Sequence, residues 1–238
     1  MFGSRLVYAN RKTRTRLAGF GAVCFGACAV LAACSPVKMG AAAIVGNERI
    51  TTSSLDTQVA NLQAAAKPYG NQVQLTAAQM PSAVLSWLIR FAVTDSAAAS
   101  AGISVTQAQV QQGIATINSQ AKMVAQQQGF SSPQAVLLTA GISPQMLPAL
   151  GRYQAQLTEY AKQVNGGKLP STTAENDKVN TALTNAQCSA AKSLNIQVNP
   201  QFGRFDYTQY SVVAAPDRLS RPAGKPSPAS TTGLTPAC

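Results

Sequence analysis

Residues 84–105, VLSWLIRFAVTDSAAASAGISV, decide the fold. Val84, Leu85, Leu88, Ile89, Ala92 and Val93 recur at the three- and four-residue spacings of a helix and make one wide apolar face. Pro81 sits where a first-turn proline belongs, and Gly102 ends the run. Trp87 falls within this face, and core packing is its default reading. Upstream, Ala41–Val45, the break at Gly46-Asn47 and Glu48–Thr51 predict a small β-hairpin. Thr52 or Ser53 is expected to cap the next helix, with Asp56 as a weak capping-box partner. Leu55, Val59, Leu62 and Ala66 form its stripe, and Lys67–Asn71 stops it. Downstream, Ile103–Thr106 leads into a helix striped by Val110, Ile114, Ile117, Ala121 and Val124, with glutamine-rich outer faces. Ser132-Pro133 opens a short helix through Ala140. Ser143-Pro144 opens a longer one with Met146, Leu150, Tyr153, Leu157, Tyr160 and Val164 on one side, capped by Asn165-Gly166-Gly167. After a linker, Lys168–Thr173, a last helix runs from about Ala174 to Ser193, and Ile196–Val198 alternates like a strand.

The first 33 residues read differently. Arg5, Arg11, Lys12, Arg14 and Arg16 stand without an acid and precede an uncharged small-residue run, Leu17–Ala33. A basic stretch, a short apolar stretch and small residues at the end are the layout of an export signal. Leu31-Ala32-Ala33-Cys34 looks like a bacterial lipobox, so Cys34 is expected to become the first mature residue and carry the lipid, diacylglyceryl and palmitate-type chains on one cysteine. Two or three chains suffice for stable membrane attachment where one does not. From Ala214 onward Pro, Ser, Thr, Ala and Gly dominate, and such a segment buries too little apolar surface to offset its ordering entropy. The expected organisation is therefore a signal peptide at 1–33, lipidated Cys34 with a short tether through 39, a folded domain at 40–213 and a Pro/Ser/Thr-rich disordered tail at 214–238.

Composition removes several functions. The chain has 238 residues, 11% of them charged, and no histidine. That excludes histidine-based acid–base catalysis, Ser-His-Asp and Cys-His nucleophiles and nearly all zinc sites. Eight acidic residues in total leave little for a carboxylate metal cage. The net charge of +11 includes five basic residues of the signal; residues 40–213 hold ten basic and seven acidic side chains, with no basic stripe interleaved with aromatics. Nucleic acid is therefore not an expected partner, and no catalytic residue, cofactor or metal ligand is assigned. Cys188 and Cys238 remain as an even pair once Cys24, Cys28 and Cys34 are set aside, and in an oxidising compartment they are disulfide candidates; the other reading is two free thiols. No Cys-x-x-Cys occurs in the mature chain, which speaks against an oxidoreductase.

The order of these segments resembles the N-terminal chaperone domain of SurA and the related PrsA-type foldases of the bacterial envelope. A strand turns at once into a capped helix, then come the long helix around Val84–Ile89 ending in Ala101–Val105, the helix from Gln107 to Ile117, the short one after Phe130-Ser131-Ser132 and another long helix. Asn199–Gly203, followed by Arg204-Phe205-Asp206, is similar to the Asn-Pro-Arg-Phe-Gly ending common in that group, with Gln201 in place of the arginine. The resemblance covers about residues 40–206. It implies a mostly α fold: a SurA-N-like helical lobe with a small antiparallel β patch joining the N- and C-terminal segments, Ile196–Val198 pairing with Ala43–Val45. Full-length members insert a parvulin isomerase domain before the final helix. The interval from Gly166 to Thr173 is too short for one, so the resemblance implies the chaperone part alone and no enzyme. The expected function is a lipid-anchored, extracytoplasmic, non-catalytic holdase whose partners are unfolded or partly folded exported polypeptides and, through Cys34, the cell membrane. The alternative is a structural or scaffolding envelope lipoprotein holding one folded partner.

Overall fold

The computed structural model describes residues 40–214 and Cys238. The expected signal peptide, Cys34 with its tether, and the tail at 215–237 lie outside the described residues. The chain enters as β1 (Ala41–Val45) and returns as β2 (Glu48–Thr51). Ala41, Ala42, Ala43 and Val45 are all buried, so β1 lies at the bottom of the core where small side chains allow close approach. Gly46 makes the turn. It has φ +60°, its N–H donates to Leu194 O at 2.6 Å, and a Cβ there would collide with the Leu194 side chain.

Among the described residues six α-helices follow: α1 (Thr52–Ala66), α2 (Met80–Ser100), α3 (Gln107–Gln128), α4 (Pro133–Thr139), α5 (Leu147–Val164) and α6 (Thr173–Ser193). Then come β3 (Gln197–Val198), β4 (Arg204–Asp206) and β5 (Ser211–Val213). The fold is mostly α with a small antiparallel β patch, as expected. β3 pairs with β1, Val198 opposite Ala43 and Gln197 opposite Ile44, which closes a three-stranded sheet in the order β2-β1-β3.

α2 is the central element. Val84, Leu85, Ile89 and Val93 are fully buried, and the helix packs against α1, α5, α6, β1 and β5. Leu88 and Trp87, on the flank of that face, are partly buried and pack against the core. α3 lies mainly along α5, and Gly113 and Gly151 meet at the crossing with backbone against backbone. The stripes read from sequence are the inward faces, although burial on α5 centres on Leu150, Gly151, Ala155 and Gln156 rather than on its tyrosines.

The helix starts required correction. Thr52, Ser53 and Asp56 are already inside α1, and the cap is Thr51, whose Oγ accepts the Ser54 N–H at 3.1 Å. The last residue of β2 is already extended, which is the backbone a cap needs. Full capping boxes stand instead at α3, between Thr106 and Gln109, and at α6, between Thr172 and Glu175. The hairpin β4–β5 was not expected: the sequence reading places no strand after Ile196–Val198.

Candidate functional site

Two open clefts flank the start of α5. The first, of about 350 Å³, lies where α4, the Pro144–Met146 turn and the start of α5 meet α3. Leu137, Ile142 and Leu147 supply apolar surface, Pro133 and Pro144 form rims without N–H donors, and Asn118, Gln134 and Ser143 supply scattered polar groups. Ser132 caps α4 by accepting the Ala135 N–H, which sets that rim in place. Ser143 is fully buried and its hydroxyl reaches Gln58 on α1. An apolar trough with neutral hydrogen-bonding groups holds aliphatic side chains of an extended chain without demanding a particular one.

The second cleft, about 310 Å³, has a charged wall: Asp95 pairs with Arg152 at 3.0 Å and accepts from Gln156 Nε2 at 2.6 Å. Phe91 and Tyr153 form its aromatic side. Those two rings and Trp87 make a cluster with centroids 5.8 to 6.0 Å apart, Trp87 edge-on to Tyr153. Trp87 Nε1 donates to Ala140 O at 2.8 Å, so the only tryptophan ties α2 to the end of α4.

Beneath that cluster lies Arg90. Its guanidinium sits 5.1 Å from the Trp87 ring and 5.9 Å from the Tyr210 ring, and Nε donates to Tyr210 O at 2.9 Å. Among the described residues no carboxylate pairs with it. Burial lowers its pKa, an effect partly offset by Tyr153 and Tyr210, and burial raises both phenols. One turn earlier Ser86, 7% exposed, donates to Ser82 O and accepts the Val212 N–H at 2.9 Å. α2 thus grips the backbone of the β4–β5 hairpin at two points.

Among the described residues no group of three or more His, Cys, Asp or Glu side chains is placed to hold a metal ion, and no helix is long and apolar enough to cross a membrane. What the lobe offers is apolar trough, aromatic edge and backbone-directed polar groups. Residues 17–160 match the family model described as SurA-like N-terminal domain. The chain belongs to the SurA-like N-terminal domain family. No curated protein and no solved structure gives a significant match. Membership points to a chaperone-like, polypeptide-engaging role outside the cytoplasm. The SurA-like match opens at the apolar run after Arg16 and closes within α5, so α6, β3 and the β4–β5 hairpin lie beyond it.

Of the residues singled out from the sequence, Cys34 lies outside the described part. Cys188 on α6 and Cys238 lie at disulfide-bonding distance, with Cα atoms 5.4 Å apart. Tyr160 is a partly buried packing residue whose hydroxyl donates to Ala182 O at 3.3 Å. Sequence reasoning missed Ser86 and Arg90. A polar pair four apart on an otherwise apolar helix face was the available signal, since neither belongs there unless something accepts or supplies its hydrogen bonds.

Proposed function

We propose that this protein is a lipid-anchored, extracytoplasmic holdase: it shields unfolded or partly folded exported polypeptides and catalyses nothing. Membership of the SurA-like N-terminal domain family carries the reading. The cleft lined by Leu137, Ile142 and Leu147 supports it, as a neutral apolar trough suited to many sequences. The Leu31–Cys34 box after a basic stretch and a short apolar run supports Cys34 as the lipidated first residue, with 1–33 removed, a tether to 39, the lobe at 40–213 and a tail at 214–238. Eight residues, Asn165–Thr172, separate α5 from α6, and the chain has no histidine, which favours the chaperone part without an isomerase. The placement of Cys188 against Cys238 supports a disulfide there, in keeping with an oxidising compartment.

The test uses the soluble form from Ser35 to Cys238. It should suppress aggregation of a denatured client at a few-fold molar excess while leaving cis–trans relaxation of a proline peptide at the background rate. Because client contacts are apolar, suppression should change little between low and physiological salt. No suppression at any ratio would defeat the holdase reading, and saturable capture of one folded partner would put a scaffold in its place. In cells, Cys34→Ala should leave the precursor uncleaved and unlabelled by a fatty-acid probe. Normal labelling of that variant would remove the anchor.

A further inference from the structure

We infer that the face of α2 beneath the β4–β5 hairpin is a polypeptide-binding site, occupied in this structure by the protein's own segment 204–213 and held shut by Cys238. The inference rests on the holdase reading and names a second binding surface for it, one that opens and closes.

The hairpin is docked as an extended ligand would be. Ser86 Oγ takes a backbone N–H, from Val212, and Arg90 Nε gives to a backbone carbonyl, of Tyr210. Both contacts read main chain, which every polypeptide carries, so neither selects a sequence. Selectivity is left to aromatic and aliphatic side chains: Phe205, Tyr210 and Val212 are buried on the lobe, and Arg90 lies between the rings of Trp87 and Tyr210. Arginine and large aromatics at the centre of a desolvated patch are what tight polypeptide sites are made of.

The occupant fits imperfectly. Tyr210 has φ +50°, a left-handed conformation that costs a bulky residue roughly 1–3 kcal/mol. Its hydroxyl is buried with no hydrogen-bond partner among the described residues. A strained residue with an orphan polar atom persists only when something else holds it down. Cys238 does so. It lies opposite Cys188 on α6, its N–H contacts Tyr207 O at 3.4 Å, and its carbonyl accepts from Lys192 Nζ at 3.2 Å. The bridge therefore pins the turn of the hairpin to α6. Reducing it, two thiols forming from one cystine at the expense of a dithiol reductant, removes the clamp and leaves Ser86 and Arg90 on α2 for a client.

The experiment measures binding of fluorescein-labelled, reduced and carboxymethylated lactalbumin, an unfolded chain with no free thiol, to the oxidised and the dithiol-reduced protein. Trp87, the only tryptophan, reports the hairpin through Arg90, and circular dichroism reports the helices. On reduction Trp87 emission should shift, helix content should hold, and the client should bind about tenfold tighter, as when a site closed nine-tenths of the time is freed. Cys188→Ser should behave as the reduced protein without reductant. Val212→Pro deletes the N–H given to Ser86 but leaves Ser86, Arg90 and both cysteines in place; it should tighten client binding with the cystine intact, and it decides the matter even if reduction costs the fold. A peptide of residues 202–213 should then displace the client. Equal affinity in the closed protein and in Val212→Pro would overturn the inference while leaving the holdase reading intact, as would a client that the peptide fails to displace. No binding in any form would overturn both.

Discussion

Gly113 and Gly151 allow α3 and α5 to touch through their backbones. By helix propensity alone, alanine at Gly113 should stabilise by roughly 0.5–1 kcal/mol. The crossing reverses the sign: a Cβ on Gly113 would be driven into Gly151 O and would sit 3.3 Å from Ala155 N, and neither backbone atom can rotate away. Gly113→Ala should therefore destabilise by about 1–3 kcal/mol, the range for overpacked sites, read as a lowered midpoint in urea. A neutral or stabilised variant would show that the helices separate freely. Single residues were the least legible part of the sequence. Trp87 read as core, and it packs partly buried against the core cluster, but nothing in the sequence signalled that its Nε1–H reaches the Ala140 carbonyl across a seam. Ser86 and Arg90 passed unnoticed because their partners, Val212 and Tyr210, are more than a hundred residues away.

The helices were legible because each carries its own signal: apolar spacing, a proline in the first turn or a glycine after the last. Their starts were less so. A cap depends on the backbone angle of one residue, and at α1 the strand before it moved the cap to Thr51. The boxes at α3 and α6 have a measurable worth. Thr172 Oγ accepts the Glu175 N–H at 3.2 Å while the Glu175 carboxylate accepts the N–H groups of Ser171 and Thr172, which lower its pKa. Thr172→Ala should cost about 1 kcal/mol in thermal or urea unfolding. The β4–β5 hairpin escaped reading because its strands are three residues each, too short for alternation to show. Its turn is set by Asp206, whose Oδ1 accepts from Thr208 N–H, Thr208 Oγ and Gln209 N–H, and whose pKa these bonds lower, the Thr208 hydroxyl most. A carboxylate with a depressed folded pKa adds stability that is fully present above its unfolded value, about 3.9, and is lost as pH falls through the folded one. Trp87 emission should therefore be flat from neutral pH down to about pH 4 and shift below it, and Asp206→Asn should move in that direction already at neutral pH. An acid transition identical in Asp206→Asn and wild type would assign it to other carboxylates.

At the scale of the molecule, the bridge proposed between Cys188 and Cys238 would join residues 50 apart in sequence. A closed loop of that size stabilises by about 4 kcal/mol in the chain-entropy model, or roughly 10 °C in Tm for a domain of this size. Mild reduction should lower Tm by that order, and Cys188→Ser should match it; an unchanged Tm would mean that the thiols are free in solution. The topology was more legible than the residues that stitch it. The pairing of Ile196–Val198 with Ala43–Val45 was implied by the resemblance to the SurA-type lobe, whose last strand returns to the first, and β3 does pair with β1. That same pairing sets a rule for timing. Asn199 Nδ2 bonds Ala41 O across 158 residues, and among the described residues nothing nearer in sequence occupies that edge of β1. A chain threaded N-terminus first through a narrow passage must carry β1 with one edge bare until nearly the whole lobe has emerged. The sheet therefore closes last, after the helices that pack on β1 have been delivered.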